Sequence, residues 1–280
     1  MVYYNFTSYL RDFKSYVQKW YSTSDEIVIK NIKLKEEHSY RVRDNIVQLS
    51  KLLGLEKEVC FLAEIVGLFH DIARFPQFYK FKTFDDRKSF DHAEKGVEIL
   101  KQQAILENLT LKNRQRVFSA IKYHNKKNLP EINDPIEELL AKLIRDADKI
   151  DIWYVVGDEL SEKEDPSISL GYSGKQEYNP KIIDALLNRQ IVDYNLVRST
   201  LDFKLTTLAW VYDINFLESF LLIKKKRVLE PIIESLPINS EIRKVVDIIQ
   251  KFVRERYIGI KKRAIIEHSI RVRQETESCY

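Results

Sequence analysis

Six residues between positions 38 and 148 of this chain are of the types that hold a divalent metal. They come in the order His38, then the pair His70 and Asp71, then His92, His124 and Asp148. Most of them fall on a stretch where apolar residues recur every three or four positions. His38 opens the stripe Val42, Ile46, Leu49 and Leu53, His124 closes Val117, Ala120 and Ile121, and Asp148 lies between Ile144 and Ile152. Helical periodicity turns such positions toward a core. An unpaired polar group buried there costs a few kcal/mol and a charge costs more, so six of them together need a partner. Imidazole nitrogens and carboxylate oxygens are ligands for Mn, Fe, Zn, Co and, less well, Mg, and a dication enforces neutral His with ionised Asp. A metal pocket is therefore the expected chemistry. Asp146 and Asp151 fall off the centre line of the same stripe and read either as helix surface or as groups that orient the ligands.

The elements that must position these residues are helices. Phe6, Leu10, Phe13 and Val17 mark a first one. The stripe from His38 predicts a second, ending at Gly54 as a C-terminal cap. EKEVCFLAEIVGLFHDIARF predicts a strongly apolar third helix with His70 and Asp71 in its final turn, stopped by Pro76. The polar, aromatic stretch Gln77 to Asp91 has no period and reads as a loop, after which His92 starts HAEKGVEILKQQ. NRQRVFSAIKYH and IEELLAKLIRDADKIDIWYVV follow as helices, separated by a turn between Asn128 and Pro135. Gly157 to Pro180 concentrates glycine and proline and reads as a long loop or lid, with further amphipathic helices beyond it. The expectation is an all-α protein divided into residues 1–156, which hold the site, and residues 157–280, a loop followed by accessory helices packed on the core.

Bulk composition agrees. Seven glycines and seven prolines in 280 residues favour long helices over turn-rich sheets. A net charge of +4 does not argue for nucleic acid as a partner, and the basic stretches LLIKKKR and IGIKKR lie beside apolar helix and read as solvated faces. Two cysteines, Cys60 and Cys279, make no disulfide framework and suit a reducing compartment. No stretch has the uninterrupted apolar length of a signal peptide or a membrane span, so a cytoplasmic location is expected.

The ordered set closely resembles the HD-domain superfamily of metal-dependent phosphohydrolases. The resemblance runs from about Lys35 to Val156 and rests on HSYRV, GLFHDIARF, DHAEKGVEIL, IKYHN and RDADKID. It implies an HD-type helical bundle in which His38, His70, Asp71 and Asp148 are the common metal ligands. His92 and His124 match the additional histidines of binuclear members, where Asp71 would bridge two metals; the alternative is a mononuclear site with these two as acid or phosphate contacts. Lys149 matches a basic position that contacts phosphate in nucleotide-cleaving relatives. Arg74, and Arg87 or Lys88 in the aromatic stretch, are further candidates for holding substrate.

The resemblance implies hydrolysis of a phosphomonoester or phosphodiester, with a nucleotide as the leading class, by a metal-activated hydroxide. Asp71 and Lys149 are the expected catalytic residues. The metal identity stays open among Mn, Fe, Co and Mg. One rival is a diiron centre that oxidises C–H or C–P bonds with dioxygen, and another is a non-catalytic helical module that senses a nucleotide. HNKKNLPEIND carries no GYP signature after His124, so the cyclic-di-GMP branch is unsupported, and the features of a stringent-response hydrolase are also missing. EHSYRVR at Glu37 to Arg43 is echoed as EHSIRVR at Glu267 to Arg273. No ligand-bearing helix follows the second copy, so His268 reads as a chance likeness or a surface position, with contact to a second copy of the chain as the remaining option.

Overall fold

A computed structural model of the chain describes residues 5–162 and 177–277, with side chains described for 5–157 and 177–260. Among the described residues there is no strand, and the α-helical class is as expected. No helix among them is long and apolar enough to cross a membrane. Contacts divide the chain into two compact units, Met1–Tyr172 and Ser173–Tyr280.

The first unit contains α1 (Thr7–Gln18), α2 (Glu26–Leu52), α3 (Lys57–Phe69), α4 (Arg74–Phe81), α5 (His92–Gln102), α6 (Leu111–Tyr123) and α7 (Pro135–Glu162). Polar side chains start these helices where the sequence supplies them. Asp25 accepts from the backbone N–H groups of Ile27 and Val28, Asp91 from Ala93 and Glu94, Thr110 from Asn113, and Asp134 from Ile136 and Glu137. Each satisfies donors that the first turn leaves open, a contribution of about 1 kcal/mol per cap. Gly54 closes α2 in the left-handed conformation, φ 64°, with Gly54 and Leu55 donating to the carbonyls of Lys51 and Ser50.

The core is built where α2, α3, α6 and α7 meet. Val42, Ile46 and Leu49 from α2, Leu62, Ile65 and Val66 from α3, Val117 and Ile121 from α6, and Leu140, Ile144 and Trp153 from α7 are fully buried. Gly67 is what lets α2 and α3 come together. A Cβ at that position would lie 2.8 Å from Ile46 Cγ2 and 2.9 Å from Arg43 Cα, and the second of these is backbone that cannot move aside. On α1, Phe13 meets Phe69 and Phe75 edge to face at 5.7 and 5.9 Å, covering the end of α3.

Two boundaries differ from the sequence expectation. The residues around Pro76 do not end a helix; they begin one. The helix α3 stops at Phe69, His70 to Ala73 form a turn, and Pro76 lies in the first turn of α4, where a missing N–H costs nothing. The stretch Gln77 to Asp91, read as loop, therefore opens as helix to Phe81 and then includes a short 3-10 turn at Asp86–Lys88. At the other end α7 continues to Glu162, past Val156, because one glycine at position 157 lowers helix propensity by only about 1 kcal/mol. Most of the expected loop between Gly157 and Pro180 falls outside the described residues.

The second unit holds α8 (Pro180–Leu187), α9 (Thr200–Ala209), α10 (Ser219–Lys226), α11 (Glu230–Glu234) and α12 (Ser240–Glu277). Buried Asp202 ties its start together, accepting from the backbone N–H of Asn179 at 2.8 Å and of Arg198 at 2.9 Å. Phe252 on α12 packs edge to face on Tyr212 and Phe220. The echoed heptapeptide lies along α12, but the side chain of His268 falls outside the described residues, as does Cys279.

Candidate metal centre

All six expected ligands converge. His38 comes from the middle of α2, His70 caps the C-terminus of α3, Asp71 follows it in the turn, His92 begins α5, His124 ends α6 and Asp148 projects from α7. His38, His70, Asp71, His92 and His124 are all buried. Asp71 sits between two pairs of histidines. Its Oδ2 is 3.4 Å from His38 Nε2 and 3.8 Å from His70 Nε2; its Oδ1 is 3.4 Å from His92 Nε2 and 3.8 Å from His124 Nε2. Asp148 Oδ1 joins the first pair, 3.1 Å from His38 Nε2 and 3.6 Å from His70 Nε2.

The outer nitrogen of each ring fixes its tautomer. Nδ1 of His38 donates to Asp151 Oδ2 at 2.7 Å, Nδ1 of His70 to the Gly67 carbonyl at 2.9 Å, Nδ1 of His92 to Asp86 Oδ2 at 2.6 Å and Nδ1 of His124 to the Ile121 carbonyl at 2.6 Å. With Nδ1 as the donor, Nε2 of a neutral imidazole presents a lone pair to the centre. His92 Nε2 and His124 Nε2 then face one another at 3.0 Å as two acceptors, with a carboxylate oxygen beyond them. Asp148 Oδ1 is buried and accepts no hydrogen bond of good geometry. Four Nε2 atoms that offer lone pairs when their rings are neutral, gathered around the carboxylates of Asp71 and Asp148, are a donor set that a cation satisfies, so these residues fit a divalent metal.

Charge among these residues is uneven. Burial works against a charged His38, as does Lys35, yet the surrounding Asp148, Asp151 and Asp71 raise its pKa to about 10. His124 is driven the other way, to about 3, by burial and by the neighbouring His92 and His70. His92 is also lowered, by burial and by Arg74. Burial opposes ionisation of Asp71, but Lys35, His70 and Arg74 hold its carboxyl well below the usual range; Asp148 stays ionised against burial through His38 and His70.

The family model described as HD domain matches residues 36–153. Residues 36–153 are an HD domain. The matched span begins two residues before His38 and ends five after Asp148, so it encloses the whole cluster. No significant match was found among curated proteins or among solved structures.

Around the HD domain's candidate ligands stand residues that sequence reasoning named only loosely or missed. Asp151, left open between surface and orienting roles, is buried and divides its carboxylate between His38 and the Arg41 guanidinium, whose Nε and Nη2 donate at 2.7 and 3.1 Å. Asp86 does the same for His92, and is itself bound by Arg74 and Gln77. Nothing in the sequence marks Asp86, because it lies in a non-periodic stretch. Arg145 reaches from α7 to the carbonyls of His124, Lys126 and Lys127 and so anchors the chain where it leaves α6. Lys35 lies 2.8 Å from Asp71 Oδ2; its place one turn before His38 on α2 was the available signal.

The basic residues expected to hold substrate are placed differently from one another. Lys149 follows Asp148 on α7 and is half-buried. Arg74 directs Nε toward Asp71 Oδ1 at 3.4 Å, while its Nη1 donates to the Phe84 carbonyl, Gln77 and Asp86. Arg87 forms a bidentate pair with Asp85, and Lys88 is exposed.

Proposed function

We propose that this HD domain is a phosphohydrolase that cleaves a phosphomonoester or phosphodiester, with a nucleotide as the favoured substrate class, using two divalent metals. His38, His70, Asp71 and Asp148 would hold one, and Asp71, His92 and His124 the other. The observation that carries the reading is the division of Asp71, with each carboxylate oxygen facing its own pair of histidines. Metals at such a site lower the pKa of water and draw charge from phosphoryl oxygens.

The chain's own residues set the terms for that chemistry. Asp151, Asp86 and the carbonyls of Gly67 and Ile121 keep every Nδ1 protonated, so that each Nε2 points inward as a ligand. Asp71 would belong to both ligand sets. Lys149, next to Asp148, would neutralise charge on the substrate phosphate. Arg74 already presents one N–H edge to Asp71 and adds positive charge from a fixed position; Arg87 contributes only if it leaves Asp85.

The test is phosphate release from a nucleotide panel and an aryl phosphate by protein loaded with Mn, Fe or Co. Activity should appear with at least one metal and vanish in Asp71→Ala. Full metal occupancy with no phosphate released from any substrate would falsify the reading. Oxygen uptake with a polyol or phosphonate would instead identify a diiron oxygenase, and nucleotide affinity without turnover a sensor.

A further inference from the structure

Two cations stand on the Asp71 carboxylate, one on each oxygen, and they are held very differently. Arg74 approaches Oδ1, and its guanidinium is fastened by the Phe84 carbonyl, Gln77 and Asp86 at 2.6 to 2.9 Å. Lys35 approaches Oδ2 at 2.8 Å through a single ammonium on a flexible stem. That ammonium also rests 5.2 Å from the centre of the Phe84 ring, over which Arg74 lies too. The Lys35 side chain is 15% exposed, so the pair is shielded and the attraction is strong.

We propose that Lys35 is an exchangeable counter-ion. It neutralises Asp71 while the centre is metal-free and, once metal displaces it from that carboxylate, holds a phosphate oxygen of the substrate. The inference rests on the phosphohydrolase reading and assigns that reading a substrate-holding residue. An ammonium and a dication repel one another and cannot share Asp71 Oδ2 on equal terms, so loading the centre must weaken the Lys35 contact. Arg74 cannot be the residue that moves, because leaving would break three further hydrogen bonds, among them one to the aspartate that orients His92. Lys35 gives up one ion pair and can keep the face of Phe84. Its backbone stays fixed on α2, where its carbonyl accepts from Ser39 Oγ at 3.0 Å, so the released ammonium remains at the rim of the centre. A mobile point charge there suits a phosphate oxygen, which carries negative charge that metals neutralise only in part.

The experiment compares wild type, Lys35→Met and Lys35→Arg by titration calorimetry, first with Mn into chelator-stripped protein and then with inorganic phosphate into the Mn-loaded form. Methionine keeps an unbranched apolar chain of similar length and removes the charge. Lys35→Met should bind Mn at least about fivefold tighter and phosphate about tenfold weaker, the loss expected for one charge-assisted contact. Lys35→Arg should restore both affinities to near wild type. Phosphate affinity unchanged in Lys35→Met overturns the proposal, and so does Mn affinity that is unchanged or weaker. Loaded wild type that binds phosphate but hydrolyses no ester defeats the hydrolase reading alone; loaded wild type that binds no phosphate defeats both.

Discussion

Each imidazole of the centre has its Nδ1 committed to an acceptor outside it, and His38 shows what that arrangement does to protons. Its ring faces three carboxylates, those of Asp71, Asp148 and Asp151, and these outweigh burial and Lys35 to raise its pKa to about 10. Below that value the metal-free protein therefore holds His38 as imidazolium, whereas a metal requires the neutral ring. Metal binding at neutral pH must expel that proton, and affinity must rise with pH by about tenfold per unit for each proton released. Calorimetric titrations of Mn at pH 7 in buffers of different ionisation enthalpy should show about one proton released; no release, or uptake, would contradict this account of His38. Asp151→Asn should reduce the release and weaken Mn binding by about 10- to 100-fold, the usual loss when the partner of a ligating histidine is removed. The six candidate ligands could be picked out in the sequence because each is a polar residue on an apolar stripe or beside one. Their supports could not. Asp151 sits off the stripe and Asp86 in a stretch without period, and a side chain that hydrogen-bonds across the fold leaves no mark on local spacing.

At the scale of elements, ligand placement depends on how closely α2 approaches α3, since His38 and His70 come from different helices and their Nε2 atoms lie 3.2 Å apart. Gly67 governs that approach and also accepts the His70 Nδ1 proton through its carbonyl. Gly67→Ala should therefore fail despite alanine's better helix propensity. Overpacking against Arg43 backbone should cost about 1–3 kcal/mol, more than the roughly 1 kcal/mol that propensity returns. Denaturant unfolding of the stripped protein should show that loss, and Mn affinity should fall with it; a variant as stable as wild type would mean that the two helices can separate without harm. Helix existence was legible throughout the first unit because apolar stripes recur every three or four residues and Asp, Thr and Gly stand at their ends. The turn that carries His70 and Asp71 was not. Pro76 looks like a stop signal, yet the same missing N–H is harmless in a first turn, and only the break after Phe69 decides which role it plays.

Over the whole molecule, the candidate metal centre belongs entirely to one of the two compact units, Met1–Tyr172, with all six candidate ligands and the residues that orient them drawn from that span. A ligand that binds only the folded state stabilises the unit that holds its site, by about 2.7 kcal/mol when present at a hundred times its dissociation constant. For a unit of this size that is roughly 5–10 °C in midpoint. Without a metal the buried Asp71 carboxylate has only Lys35 and Arg74 as close cationic neighbours beside the histidines, so a bound metal should add stability to this unit. Scanning calorimetry of the loaded full-length chain should show two transitions, and chelation should lower one of them by this amount while leaving the other in place. Gly67→Ala, which lies in the same unit, identifies which transition that is: it should move the one that chelation moves. A single transition that shifts as a whole, or a metal-sensitive transition indifferent to Gly67→Ala, would mean that the two units do not unfold independently.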